Sequence, residues 1–294
     1  MSIVEALGRW GRLVKFSHTL FALPFALAGA ALAAAESGIT MGQLGWIVVA
    51  MVGARNAAMG FNRLADQAYD GRNPRTAGRE LPGGRLSRPA VWSATIGLAA
   101  LFVFASFRLS QLCGWLSPGA LLIVFGYSYT KRFTWASHLV LGLGLALAPL
   151  GGWLAVAGSL PAEAWLLACA VLAWVAGFDV LYACHDVDFD RSEGLRSIPA
   201  RFGPRTALIL ARLLHGAALA ALGGVGLVAG LHPVYWLGIA IIAGLLVWEH
   251  RLIGPDDLSR LDVAFFNMNG VIGVVYLAAT LAAVLIPLAR VEGP

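Results

Sequence analysis

Charge is what this sequence has least of. Only 13% of its 294 residues are Asp, Glu, Lys or Arg, against 59% hydrophobic, and the mean hydropathy is +0.76. So few charges cannot cover a water-soluble globule, which excludes an ordinary soluble domain. Cysteine is scarcer still: Cys113, Cys169 and Cys184 are scattered and form no CxxC pair, so neither a zinc site nor a disulfide framework is indicated. No Gly-Lys-Ser/Thr follows Gly83-Gly84, which makes that pair a flexible turn and not a phosphate loop. The net charge of +5 lacks the interleaved aromatic and basic side chains of a nucleic-acid platform, so nucleic acid is not an expected partner.

What the chain has instead is apolar length. Stretches near 18–36, 42–61, 91–107, 110–127, 138–158, 163–183, 207–230, 234–250 and 267–288 each approach the roughly 20 residues that span a bilayer. They predict an all-α bundle of about nine transmembrane helices forming one integral membrane domain over 1–294. Basic residues before the first run and Ala-rich sequence after it mimic a signal peptide, yet eight further spans follow, so cleavage is not expected. Seventeen of the 21 Lys and Arg fall on one side of this arrangement, in the N-terminal segment and in every second connection. The positive-inside rule then places the N-terminus and the polar connections in the cytoplasm and the C-terminus outside, in a bacterial or archaeal cytoplasmic membrane.

The sequence also repeats. A shift of 120 residues lays Ser17-His18 on Ser137-His138, Asp66 on Asp186, Asp70 on Asp190 and Arg85 on Arg205, without gaps. Two related four-helix halves, about 15–134 and 135–254, with one extra helix, account for the constant offset. The two long polar connections, about 62–90 and 184–206, are expected to form a cytoplasmic cap with short helices.

Half of the 16 acidic residues lie in or beside these two connections. Asn62, Asp66 and Asp70 form one cluster, and Asp179, Asp186, Asp188 and Asp190 the other. Residues four apart on a helix face the same way, about 5–6 Å between Cβ atoms, so each Asp pair can offer oxygens to one hard cation that also holds a phosphate. Ordinary salt bridges to neighbouring arginines are the alternative. Arg55 lies two turns deeper on the face of Asn62, either as a counter-ion for the cluster or as a bidentate anchor for a substrate carboxylate. Lys15, Arg72, Arg79, Lys131 and Arg132 supply counter-charge for a diphosphate or merely set topology; Arg79 and Lys131 are the better candidates because they fall within polar motifs. His18 and His138 are expected to hydrogen-bond between helices. Asn73-Pro74-Arg75-Thr76 reads as a turn with Asn73 extended, followed by a helix start at Thr76. The many Gly and Ala residues either let helices approach closely or line a slot for a long apolar chain.

The motifs Asn62-x3-Asp66-x3-Asp70 and Asp179-x2-Tyr182-Ala183-x2-Asp186-x3-Asp190 resemble those of the UbiA superfamily of intramembrane aromatic prenyltransferases, from about Lys15 to Gly203. Arg63 departs from the commoner Asn-Asp start and, with Asn73-Pro74-Arg75-Thr76, is similar to the 4-hydroxybenzoate branch and its relatives assigned to menaquinone synthesis. The resemblance implies a nine-helix bundle, a central cavity open laterally to membrane lipid, and a Mg²⁺-bound polyprenyl diphosphate beneath the cap. Asp66 and Asp70 would hold one Mg²⁺ and Asp186 and Asp190 a second, with Asn62 and Asp179 completing or orienting the shell. Arg79 and Lys131, with Lys15, would face the diphosphate, and Arg55 the carboxylate of a small aromatic acid. Tyr127 or Tyr182 would face an allylic cation, unless each is an interface anchor. The acceptor is expected to be 4-hydroxybenzoate, leading to ubiquinone, with 1,4-dihydroxy-6-naphthoate, leading to menaquinone, as the alternative. A CDP-alcohol phosphotransferase would need one contiguous motif, and a secondary transporter would place its carboxylates at the bilayer midplane.

Overall fold

A computed structural model describes residues 8–11, 13, 22–254, 258, 260 and 268–286, and among these all regular elements are helical. Lys15, Ser17 and His18 lie outside the described residues. In chain order the helices are α1 (Leu23–Ser37), α2 (Met41–Arg72), α3 (Arg88–Leu109), α4 (Gln111–Thr130), α5 (Ser137–Ala157) and α6 (Ala162–Tyr182). A 3₁₀ turn (Ala183–Asp186) leads to short helices α7 (Val187–Ser192) and α8 (Ile198–Phe202), then α9 (Pro204–Val228), α10 (Val234–Leu252) and α11 (Asn269–Leu285). Seven of these are long and apolar enough to cross a membrane, counting α6 through to Ser192, while α1 and α11 are shorter apolar helices. Each predicted stretch overlaps one of the nine, and the chain is an integral membrane protein.

The largest departure from the hydropathy reading is α2. It runs 32 residues, not the 20 of the predicted span. At 1.5 Å per residue this is about 48 Å, well beyond a hydrocarbon core of about 30 Å. Hydropathy marks where the bilayer ends, but the helix ends only where its hydrogen bonding does. A capping box starts it, with Thr40 Oγ1 accepting from Gln43 N–H and Gln43 Oε1 accepting from Thr40 N–H. It stops at Asn73, which is extended before Pro74 as predicted. The first polar connection is therefore 73–87 and not 62–90. It is built of turns, without the predicted helix at Thr76, whose hydroxyl instead donates to the Asp70 carbonyl at 3.0 Å. The second connection does contain the short helices expected of it.

Helix α6 is the axis of the bundle. Phe178, Trp174, Val171 and Leu167 are buried along it, and Trp174 meets Phe25 of α1, which in turn stacks on Tyr276 of α11. Backbones come very close where glycine permits: a Cβ on Gly29 would lie 2.5 Å from the Pro149 carbonyl oxygen, and one on Gly152 would strike the Ala26 carbonyl. These reciprocal contacts lock α1 to α5. Other glycines do not pack in this way: Gly119 and Gly151 line a cavity with open space before them.

Candidate functional site

The cavity, about 770 Å³, is lined by α2–α6 and, at one end, by the two polar connections. Its far end is apolar, reaching Leu109, Leu116, Leu160 and Trp165 near the opposite helix ends. Its near end carries both acidic clusters, which the fold brings to facing walls: Asp66 and Asp70 on the projecting part of α2, Asp186 and Asp190 where α6 gives way to the 3₁₀ turn and α7. The two clusters are not built alike. The first sits on one unbroken helix, whereas the second crosses the change of helix type at Ala183–Asp186.

Each rim carboxylate is held by a cation. Asp66 Oδ1 is 3.4 Å from Arg132 Nη2, Asp70 Oδ1 accepts from Arg79 Nη1 at 2.6 Å, and Asp190 Oδ2 is 3.5 Å from Lys131 Nζ. Asp186 accepts from Arg75 through both oxygens, Nε to Oδ1 at 3.1 Å and Nη2 to Oδ2 at 2.5 Å, and from Asn73 Nδ2 at 2.9 Å. The same guanidinium donates to the Tyr182 hydroxyl at 2.9 Å, so Tyr182 belongs to the rim and is not an interface anchor. Lys131 and Arg132 come from the end of α4, a third element, so these pairs knit the site across the bundle. Burial alone would lower the Lys131 pKa, but the negative field of Asp190 and then Asp179 raises it above the usual lysine value. The same contest is won at Arg75 by its hydrogen bonds and charge contact with Asp186 and Tyr182.

Asn62 Nδ2 donates to Asp66 Oδ2 at 2.9 Å and also reaches Ser128 Oγ at 3.4 Å, fixing the carboxylate against α4. Asp190, 2% exposed, accepts from Ser197 Oγ at 2.7 Å. Arg63 is the cluster residue whose part sequence reasoning missed. It is 6% exposed, donates to the Leu13 carbonyl at 3.2 Å, and lies 3.9 Å from Asp70 Oδ2. Arg75 and Asn73 were read as turn residues and as part of a family resemblance, not as partners of Asp186. Their signal was the pairing of Asn and Arg around Pro74, but the partner is more than 110 residues away. Arg72 turns out of the site and pairs with Glu193 on the surface at 2.6 Å. Arg55, Tyr127 and Asp179 all line the cavity below the rim. Asp179 is bound to His138, Nδ1 to Oδ2 at 2.7 Å, the interhelical contact expected of that histidine.

Asp70 Oδ2 is buried without a hydrogen-bond partner, an orphan oxygen of the kind a cation satisfies. Among the described residues no three His, Cys, Asp or Glu side chains converge closely enough to hold an ion by themselves. The donor set fits a hard cation that takes one or two carboxylates and completes its shell with phosphate oxygens and water, the habit of Mg²⁺.

A profile described as the UbiA prenyltransferase family matches residues 22–271. The 4-hydroxybenzoate octaprenyltransferase of Klebsiella pneumoniae is 32% identical over 241 residues, covering 81% of this chain and 83% of that protein. The enzyme of the same name from Aeromonas salmonicida is 33% identical over 275 residues, 92% of this chain and 91% of that one. Among solved structures, the apo UbiA homolog from Aeropyrum pernix K1 superposes with a TM-score of 0.83 at 34% identity, covering 90% of this chain and 97% of that one. The UbiA homolog from Archaeoglobus fulgidus bound to DMAPP and Mg²⁺ has a TM-score of 0.73 at 19% identity, over 95% and 100%, and shows the shared fold.

Proposed function

Because the chain belongs to the UbiA prenyltransferase family, we propose that it transfers a polyprenyl group from polyprenyl diphosphate to a ring carbon of 4-hydroxybenzoate, in ubiquinone-type quinone synthesis. The observation that carries this is one cavity with two facing carboxylate pairs at its polar end, Arg55 below them, and an apolar depth beyond. The names of relatives above 30% identity support 4-hydroxybenzoate as acceptor. On this reading the halves 15–134 and 135–254 each contribute one acidic cluster, and the rim faces the cytoplasm.

Asp66 and Asp70 would hold one Mg²⁺ and Asp186 and Asp190 another, with Asn62 orienting Asp66. Bound there, Mg²⁺ neutralises the diphosphate and makes it a better leaving group. The chain's own residues do the rest. Arg75, Arg79, Lys131 and Arg132, which hold the rim carboxylates, would donate to the diphosphate oxygens, where charge grows as the allylic C–O bond breaks. Arg55 orients the arene by a two-pronged grip on its carboxylate. Tyr127 and Tyr182 present ring faces to the allylic cation, a contact of about 0.5–2 kcal/mol. The apolar far end excludes water, which would otherwise capture the cation.

The test is a membrane assay with polyprenyl diphosphate and Mg²⁺, offering 4-hydroxybenzoate or 1,4-dihydroxy-6-naphthoate and identifying the product by mass. C-prenylated hydroxybenzoate alone supports the proposal. Product only from the naphthoate moves the chain to the menaquinone acceptor, and product from neither, with folded protein, overturns the reading.

A further inference from the structure

Prenyl transfer to an aromatic ring leaves one proton to be removed, and the cavity contains one carboxylate arranged differently from the rest. Asp66, Asp70, Asp186 and Asp190 are each within 3.5 Å of a guanidinium or ammonium nitrogen. Asp179 has an imidazole instead. His138, 0% exposed, hydrogen-bonds Asp179 Oδ2 through Nδ1 at 2.7 Å. Its Nε2 faces the backbone N–H of Ile198 at 3.3 Å. A backbone N–H can only donate, so Nε2 is the lone-pair nitrogen and Nδ1 carries the hydrogen. The ring is thus neutral, in one tautomer, and clamped between α6 and α8.

Asp179 Oδ1 has no hydrogen bond among the described residues, and Asp179 lines the cavity with Arg55 and Tyr127. It precedes Asp186 by seven residues, about 10 Å deeper in the cavity. Arg55 precedes Asp66, the counterpart of Asp186, by eleven on the facing wall, about 16 Å and so roughly one turn deeper again. Asp179 therefore lies between the diphosphate site and Arg55, at the level where an arene held at Arg55 by its carboxylate presents its ring to the allylic carbon.

We propose that Asp179 is the general base of the reaction and that His138 is its positioning residue, a role resting on the prenyl-transfer reading above. The allylic C–O bond breaks with its electron pair leaving on diphosphate, and a ring carbon ortho to the phenolic hydroxyl forms the new C–C bond. The C–H bond at that carbon then breaks, its electrons restore the aromatic ring, and the proton passes to Asp179 Oδ1 and on to water at the rim. His138 Nδ1–H, donating to Oδ2, keeps Oδ1 turned to the ring. A carboxylate that holds a cation, whether a basic side chain or a metal ion, would make a poor proton acceptor, which sets Asp179 apart from the rim four.

The experiment uses the full chain in lipid with polyprenyl diphosphate, Mg²⁺ and 4-hydroxybenzoate, either unlabelled or deuterated at both positions ortho to the hydroxyl. Diphosphate release and rearomatised C-prenylated product are measured separately in single turnovers, with enzyme in excess of polyprenyl diphosphate. Asp179→Asn is expected to release its one equivalent of diphosphate at close to the unsubstituted rate, as the new C–C bond forms, while the rearomatised product appears about a hundredfold more slowly, within the range of a lost general base, with a primary isotope effect appearing. His138→Asn places an amide N–H near Nδ1 and is expected to restore most product. His138→Gln keeps an acceptor near Ile198 but loses the donor to Asp179, and is expected to show the isotope effect. Equal loss of diphosphate release and product in Asp179→Asn overturns the proposal, assigning Asp179 to the diphosphate or its metal. Should that variant fail to fold, the histidine pair decides: better activity in His138→Gln than in His138→Asn, without an isotope effect, overturns it by making His138 an anchor for α8. Unsubstituted protein that releases no diphosphate with the acceptor overturns the prenyl-transfer reading, and this proposal with it.

Discussion

Arg75 grips Asp186 through two parallel hydrogen bonds, Nε to Oδ1 and Nη2 to Oδ2, across 111 residues of sequence. The contact ties the turn after α2 to the end of α6, and so joins the two acidic clusters into one rim. A lysine has one ammonium and no fork. Arg75→Lys is therefore expected to raise KM for polyprenyl diphosphate about tenfold, with little change in KM for the aromatic acid. Steady-state kinetics with each substrate varied in turn checks this, and an unchanged KM would leave Arg75 a purely structural tie.

Loss of either carboxylate cluster should stop turnover without unfolding the chain. Asp66→Ala and Asp186→Ala are each expected to lower the rate at least a thousandfold, the order expected when Lewis-acid stabilisation is lost. Thermal denaturation in detergent should shift little, since the helices are packed elsewhere. Chelation of Mg²⁺ from the unsubstituted protein should have the same effect and be reversed on adding the ion back. Mg²⁺-dependent activity surviving in either variant would remove the two-metal arrangement.

Arg55 is expected to act on the acceptor and not on the isoprenoid. Arg55→Ala should raise KM for 4-hydroxybenzoate by roughly ten to a hundredfold, the loss of a charge-assisted bidentate contact. KM for the diphosphate should change far less. An equal rise in both would place Arg55 with the rim or the fold.

Two adjacent glycines should respond in opposite ways. Gly152 faces the Ala26 carbonyl so closely that any Cβ forces α1 and α5 apart, and Gly152→Ala should cost about 1–3 kcal/mol of stability. Gly151 faces open space in the cavity, and Gly151→Ala should leave the melting temperature unchanged. Gly151→Leu would fill part of the apolar slot and is expected to shift preference toward shorter polyprenyl diphosphates. Identical chain-length profiles would show that the isoprenoid lies elsewhere.

Most of the helices, and the acidic residues at their ends, were legible in the chain because hydropathy and i, i+4 spacing are properties of a single segment. The stop of α2 at Asn73 was equally local, since Pro74 imposes it. The length of α2 beyond the apolar run was not, because a helix that leaves the bilayer is still paid for by its own hydrogen bonds and by contacts such as Arg63 with Leu13. Composition could not say which glycines pack and which line a cavity, as that depends on the neighbouring helix.

The sequence by itself determined an all-helical membrane chain with two acidic clusters, because bilayer insertion and helical periodicity act residue by residue along a segment. Only the tertiary structure decided which charge meets which: Arg75 with Asp186, Lys131 with Asp190, and His138 with Asp179. Those choices follow from which helix ends the packing of α1–α6 brings together, a matter of geometry between segments that no single segment encodes.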